Sequence, residues 1–555
     1  MKTWKKVALG SAVLVAAGTL AACGNSSSSG TSSSTSTKAS GSIIFGGDGA
    51  QGGFTQADFN PFDSANHRQG TNFLYEPLMV VNSIDGKATP FLATGVKTVD
   101  ASTIEYTLRS GMKWSDGQPI TVDDVVFTFN LLKKFPAIDA NGEWQNIKSI
   151  STSGNTITFH LTSPNVPAIT TIDNQVIVPE HIWKNIADPA KDKNATPVVS
   201  GPYKVGTFNT NQYTLVKNDS YWNADKIQVE TIKVPAASTT PQAVISAGMD
   251  WAYTYVNNVD STWDKAPQGK GKNTHWFPAG GIISLFPNLT KAPFNNVDFR
   301  KGLSQALDRD TVAKDAELGY VTSAPQTSLM PGFSQFKNSS IPNDGVVKQD
   351  KTAALADFKA AGYTETGGKL VDSSGKQVSL SIELPSSYSD WLRGAQEMQA
   401  ELKNIGINVT LNTPSDQTVY NTDMQNGNYD LIIGSVGGTG NVYSDYNAFL
   451  NSSFYAPAGK QAANNFERFK DSATDSALSA LKSATTTDAQ KQQVDKLQET
   501  VYNQLPVINV FYGGLWGLYS NKDFTGWPSE SNPYVGAQTW SNQVLLVVQN
   551  LKKSN

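Results

Sequence analysis

Apolar residues along this chain recur at two periods, and the switches between them mark out strands and helices. Ile104-Glu105-Tyr106-Thr107-Leu108-Arg109 alternates apolar and polar, the pattern of a half-buried strand, and Ser115-Asp116-Gly117 reads as a turn. Thr121-Val122-Asp123-Asp124 has the form of a capping box, with two carboxylates at the positive end of a helix dipole. The helix that follows places Val125, Val126, Phe129 and Leu132 on one face, carries Lys133 and Lys134 at its negative end, and stops at Pro136. Ser42-Ile43-Ile44-Phe45 reads as a short strand before a glycine-rich loop and Asn60-Pro61-Phe62. Further on, Val378–Ile382 predicts a strand, Asp390–Asn404 a helix closed by Gly406, and Ile407–Leu411 a strand. A helix near Gln417–Gln425 and a strand at Tyr429–Ile433 come next, then helix between about 472 and 504 and a strand over Pro506–Val510. Strands alternating with helices at this spacing imply βαβ crossovers and a largely parallel sheet, so the fold class is α/β. Ligands of such sheets bind beyond the carboxyl ends of strands, which points to residues 435–441, to Asn60–Phe62 and to Trp516.

The first residues follow another pattern. Lys2, Lys5 and Lys6 precede an apolar run from Val7 to Leu20, then Ala21 and Ala22, then Cys23, the only cysteine of the chain. The run is short for a bilayer span, which needs roughly 20 residues. A charged start, an apolar core and a small-small-Cys ending together resemble the lipobox of bacterial lipoproteins, so residues 1–22 are expected to be a leader and Cys23 the lipidated N-terminus. That resemblance implies attachment at the outer face of a bacterial cytoplasmic membrane, held durably by two acyl chains. Residues 25–41 are almost all Ser, Thr and Gly and read as a spacer, making 23–41 a lipid-anchored linker.

Composition narrows the classes. With 555 residues, 39% apolar and 17% charged, the chain has material for several cores, and a net charge of −4 with interleaved signs gives no footprint for nucleic acid. A single cysteine leaves no intrachain disulfide, so stability rests on core size.

Three runs then carry a family resemblance: Tyr75-Glu76-Pro77-Leu78, Leu108–Pro119 (LRSGMKWSDGQP) and Asp123–Phe129 (DDVVFTF). Ser200-Gly201-Pro202-Tyr203, Tyr221-Trp222, Ala292-Pro293-Phe294 leading into Arg300 to Asp308-Arg309, and Tyr429-Asp430-Leu431 continue the series in order. The series resembles the family 5 extracellular solute-binding proteins, the peptide, oligosaccharide and nickel receptors of ABC importers. The resemblance implies a two-lobed type II periplasmic-binding-protein fold with an additional inserted domain, of the cluster C kind. On that pattern 42–76, 203–288 and 507–555 form lobe 1, 77–202 the inserted domain and 289–506 lobe 2. It implies an extracellular, monomeric receptor that takes an oligopeptide, or alternatively an oligosaccharide, between two lobes and passes it to a permease with its ATPase subunits. Peptide receptors of the family carry an Asp in the loop after the strand equivalent to Tyr429–Ile433. Here that loop runs Ser435-Val436-Gly437-Gly438-Thr439-Gly440-Asn441 with no acid before Asp445. The neutral loop, Tyr443, Tyr446 and Asn464–Phe469 look more like the oligosaccharide branch.

Catalytic chemistry is not legible. His67, His160, His181 and His275 lie in different segments and not at metal-ligand spacing, and neither a G-x-S-x-G elbow nor a P-loop occurs. A non-enzymatic protein with no cofactor and no metal is therefore expected. Aromatic residues are plentiful, and those in polar or glycine-rich surroundings are the candidates for ligand contact: Trp251 and Tyr255, Trp391, and Tyr512 and Trp516 beside Gly513-Gly514. With Asn60, Phe62, Gly437 and Gly438 they make up the expected binding set. An extracellular hydrolase and a non-transport adhesin or signalling lipoprotein are the competing classes.

Overall fold

The computed structural model describes residues 41–49, 52–63 and 66–554. The expected leader, Cys23 and nearly all of the linker lie outside the described residues. Among the described residues no helix is long and apolar enough to cross a membrane.

Two mixed sheets dominate. The first has seven strands in the order Asn273–Trp276, Gly517–Ser520, Trp251–Tyr253, Ser42–Gly46, Thr231–Pro235, Gln212–Lys217 and Tyr203–Phe208. Ser42–Gly46 runs parallel to both of its neighbours, with Ile43 beside Ile232 and Phe45 beside Trp251. Phe45, Phe73, Trp251 and Trp527 meet edge to face at 5.0 to 5.6 Å and fill the space behind this sheet, a geometry that matches ring edges to ring faces.

The second sheet has five strands in the order Asn408–Asn412, Ser379–Glu383, Leu431–Val436, Ala279–Pro287 and Ile508–Gly514. Its middle strands are apolar on both faces because both are covered. Ile283, Leu285, Leu431 and Ile433 pack under the helices Arg309–Glu317 and Ser389–Lys403, while Ile282, Phe286, Ile432 and Val436 pack with Val442–Leu450, Ser472–Ser483 and Thr487–Gln504. The two-residue period of a strand sends successive side chains to opposite layers. The helices and strands expected from the sequence between 378 and 510 are present within four residues of their expected ends, the helical stretch 472–504 being split into Ser472–Ser483 and Thr487–Gln504.

The placement of two strands differs from expectation. Ala279–Pro287 and the strand that begins near Pro506 were both expected in the lobe 1 segments, yet they pair with each other in the second sheet, and the chain re-enters the first sheet only at Gly517. Two buried arginines hold the second of these strands there. The Arg309 guanidinium donates to the Asn509 carbonyl at 2.7 Å and to the Ser304 carbonyl and hydroxyl, and Arg300 donates to the carbonyls of Phe294, Gln504 and Leu505. They pin the strand's entry to the helices of the second sheet. Burial pulls both side chains down to about 10, still charged at neutral pH.

Residues 77–202 carry a separate antiparallel sheet in the order Ala93–Asp100, Thr103–Leu108, Thr156–Leu161 and Ile147–Ser153, together with the helix Val122–Lys134. The capping carboxylate is more than a dipole partner. Asp124 accepts from the Thr121 and Glu180 N–H groups at 2.9 Å, tying the helix start to a second segment. Glu76, in the first recognised run, is fully buried and accepts from the Tyr221 hydroxyl at 2.6 Å and the Trp222 indole at 2.9 Å.

Burial raises Glu76 to about 8, Glu143 to about 8 and Asp173 to about 7, each above its ordinary value. A carboxyl raised on folding binds a proton more tightly in the folded state, so its stabilisation is full at acid pH and lost as pH rises through the raised value. Unfolding by denaturant is therefore expected at a higher midpoint at pH 5.5 than at pH 8.5. Glu76→Gln should flatten that slope, whereas a slope of opposite sign would contradict the protonated-carboxyl account.

Candidate ligand-binding site

The chain passes between the two sheets at two adjacent points, from Trp276 to Ala279 and from Gly514 to Gly517. The crossings are tied together where the Leu515 N–H donates to the Pro278 carbonyl at 2.8 Å. Trp516 sits at this junction, edge to face with Tyr255 and with Phe277 at 4.9 Å, and Arg393 donates to the Tyr255 hydroxyl at 2.7 Å. Tyr255 and Trp516, two expected site residues, thus meet at the junction itself.

A cavity of about 480 Å³ opens where the first sheet's loops, the 77–202 segment and the loop after Leu431–Val436 converge. Its walls carry the carboxamides of Asn72, Asn141, Asn174, Gln175, Asn542 and Gln543 and the rings of Phe62, Tyr75 and Trp540. Among the described residues no Asp, Glu, Lys or Arg lines it. His67 is in the wall, with Nδ1 unpartnered among the described residues, and burial holds its imidazole below the usual range, so the lining is uncharged at neutral pH.

Local chemistry explains the shape. Asn60 is fully buried: its amide donates to the Pro189 and Asp192 carbonyls at 2.7 Å and its oxygen accepts from the Phe62 N–H at 2.8 Å. It therefore anchors the loop, and Phe62, edge to face with Trp183 at 5.0 Å, is the residue that reaches the cavity. Gly437 and Gly438 have φ of 78° and 81°. A Cβ on Gly438 would lie 1.9 Å from the Gly280 carbonyl oxygen, so backbone passes against backbone there. The loop delivers Thr439 to the cavity wall, and Thr439 donates its N–H and hydroxyl to Asp445 at 2.9 and 2.7 Å. Asp445, the first acid after the glycine loop, is thereby buried beneath it, and burial raises it to about 6. Asn441 caps the next helix and donates to the Thr170 hydroxyl at 2.8 Å, tying the loop to the 77–202 segment.

Other expected residues lie elsewhere. Trp251 is fully buried among Phe45, Phe73 and Trp527 and does not reach the cavity. Trp391 stacks edge to face on Tyr388, which is 40% exposed, and Tyr512 is half-buried in the second sheet's core. Tyr446 donates to the Thr327 carbonyl and the Asn465 amide to that of Phe469, so both serve the interior. The sequence reading missed Trp540, 48% exposed and edge to face with Tyr253 at 4.4 Å. Its signal was available: a lone tryptophan inside the polar run Gln538–Gln543.

Comparison with known proteins bears on this arrangement. The family model for bacterial extracellular solute-binding proteins, family 5, middle part, matches residues 87–461. The chain belongs to this family. The oligopeptide-binding protein OppA of Bacillus subtilis is 23% identical to this solute-binding protein over 472 residues, 80% of this chain and 83% of the relative. The structure of a periplasmic oligopeptide-binding protein of an oligopeptide ABC transporter from Thermotoga maritima aligns with a TM-score of 0.82 at 25% identity, covering 92% of this chain and 99% of that one. The same protein with mannohexaose bound aligns at a TM-score of 0.73 and 25% identity, covering 93% and 99%. The mixed α/β fold is that of the periplasmic solute-binding proteins.

Two substitutions separate wall from scaffold. Trp251→Ala should lower the unfolding free energy by about 3–5 kcal/mol, the ordinary cost of emptying a buried aromatic site, in a denaturant titration. Gly438→Ala, which forces a Cβ into left-handed backbone and against Gly280, should weaken ligand binding at least about tenfold by calorimetry, a loss of about 1.4 kcal/mol. Unchanged affinity would show that the loop does not shape the site.

Proposed function

We propose that this protein is the extracytoplasmic receptor of an ABC importer that captures an oligopeptide by its backbone. The two sheets form two lobes that close about the paired crossings, the 77–202 segment adds an outer wall, and a monomer tethered through lipidated Cys23 delivers the ligand to the permease and its ATPase. The observation that carries this reading is the uncharged, carboxamide-lined cavity. An Asn or Gln amide both donates and accepts, as a peptide group does, so it can pair with a main chain whatever its side chains are. Recognition of this kind needs no charged partner for the ligand's termini. Micromolar affinity requires about 8 kcal/mol net, within reach of several such contacts and the Trp540 and Phe62 rings after closure costs. Among the described residues His67, the lining imidazole, has Nδ1 without a hydrogen-bond partner and so activates none of the lining hydroxyls through it.

Trp540 supports a second reading. An exposed indole beside amides also suits the apolar face of a sugar ring, and the mannohexaose complex of a relative is consistent with an oligosaccharide ligand.

A calorimetric panel of peptides with free termini, the same peptides acetylated and amidated, and neutral oligosaccharides tests the proposal. Blocked and free peptides should bind within about threefold of each other, and Trp540→Ala should weaken binding at least about tenfold. Response to oligosaccharides alone would select the second reading, and strict dependence on a free α-amino group would contradict the neutral cavity.

A further inference from the structure

On the first-sheet side of the paired crossings, away from the cavity lining, the fold assembles a donor set that the sequence keeps apart. Asp260 lies in the helix Val259–Thr262, Asp264 just beyond it, and His275 on the edge strand Asn273–Trp276. One ligand atom from each lies within 4.8 Å of the other two. His275 Nδ1 is 3.1 Å from the nearer Asp264 oxygen, and Asp260 accepts from the Tyr320 hydroxyl at 2.8 Å.

Charge makes the cluster unusual. Among the described residues neither carboxylate is paired with a lysine or arginine, and the only ion-pair partner of Asp264 is the imidazole. Two carboxylates therefore face one neutral or singly charged ring, a net negative pocket. The His275 and Asp264 side chains are only 20% and 27% exposed. The imidazole packs against Phe277 at 4.8 Å and the edge of Tyr320 at 5.8 Å, which restrict its rotation.

We propose that Asp260, Asp264 and His275 bind one divalent first-row transition cation, with water completing its coordination. One imidazole nitrogen with two carboxylate oxygens is a borderline-to-hard donor set, suited to Zn²⁺, Co²⁺, Ni²⁺ or Mn²⁺. Bond lengths near 2.0–2.2 Å require the three donors to draw slightly closer. Asp260 is exposed, and its carboxylate has a second oxygen that can ligate while the first keeps the Tyr320 hydrogen bond. The cation binds neutral imidazole, so any proton on His275 leaves to solvent. Tyr320 follows the helix Arg309–Glu317 of the second sheet, so the ligand Asp260 is tied by a hydrogen bond to the other side of the crossings. Cation binding and the relative position of the two sheets are therefore linked, and linkage is reciprocal.

The test uses the full mature chain stripped with a chelator and titrated with Zn²⁺ by calorimetry and with Co²⁺ by visible absorption, with Mg²⁺ as the hard-cation control. One equivalent of Zn²⁺ and of Co²⁺ should bind, and His275→Ala, Asp264→Asn and Asp260→Asn should each weaken both at least about tenfold. Asp260 is exposed and Asp260→Asn retains the Tyr320 contact, so that variant separates lost ligation from lost fold. Trp540→Ala should bind the metal as the parent does. Failure to saturate below about 1 mM, or unchanged affinity in Asp260→Asn and Asp264→Asn, would overturn the proposal.

Discussion

Two neighbouring stretches of backbone, Phe277-Pro278 and Leu515-Trp516, are the constraint on which the arrangement depends. They enter the second sheet as the antiparallel pair Ala279–Pro287 and Ile508–Gly514, and they leave the first as the antiparallel pair Asn273–Trp276 and Gly517–Ser520. The same ribbon thus belongs to both sheets, with register shifts at Ala279/Gly281 and Ile283/Ser284 and a break at the junction. The Leu515 to Pro278 bond and the rings of Trp516, Phe277 and Tyr255 hold that interruption together. A ribbon anchored in both sheets and joined across the intervening residues by the Leu515–Pro278 bond is where bending between the sheets would concentrate.

The cavity beside the junction owes its neutrality to burial. Behind its wall, Asn141 donates to Glu143 and Tyr106 donates to Asp173, and desolvation raises both carboxyls. Thr439 similarly covers Asp445. Acids close to the cavity are thus sequestered under amides and hydroxyls, and a neutral polar lining faces inward. Such a lining discriminates little between side chains of a bound oligomer, which suits a receptor that must release what it captures.

Much of this was legible in sequence, and unevenly. Local periodicity located the helix Val122–Lys134 and the strand–helix series from 379 to 436 because each buries one face or both, and composition located the helices from 472 to 504. The chain's motifs proved to be scaffold: Glu76, Asp124 and Arg309 are buried hydrogen-bonding hubs. Periodicity could not say which sheet a strand joins, since that is decided by Arg300 and Arg309 reaching residues 200 or more positions away. Nor could it separate Trp251 from Trp540. Trp251 sits in a mixed run that only the packing of Phe73 and Trp527 shows to be interior, whereas the polar run around Trp540, which faces the cavity, is a signal of composition and not of periodicity. The glycine loop was identified as cleft-facing, but its glycines serve backbone approach to Gly280 while the neighbouring Thr439 meets the cavity.

The central claim is that two sheets move as bodies about that junction when ligand binds. Spin labels at Lys226→Cys and Lys403→Cys, both exposed and on opposite sides of it, in a chain carrying Cys23→Ala, report the separation by pulsed dipolar spectroscopy. The account predicts a broad or bimodal distance distribution without ligand that collapses to a single shorter distance at saturation. An identical distribution with and without saturating ligand would contradict it.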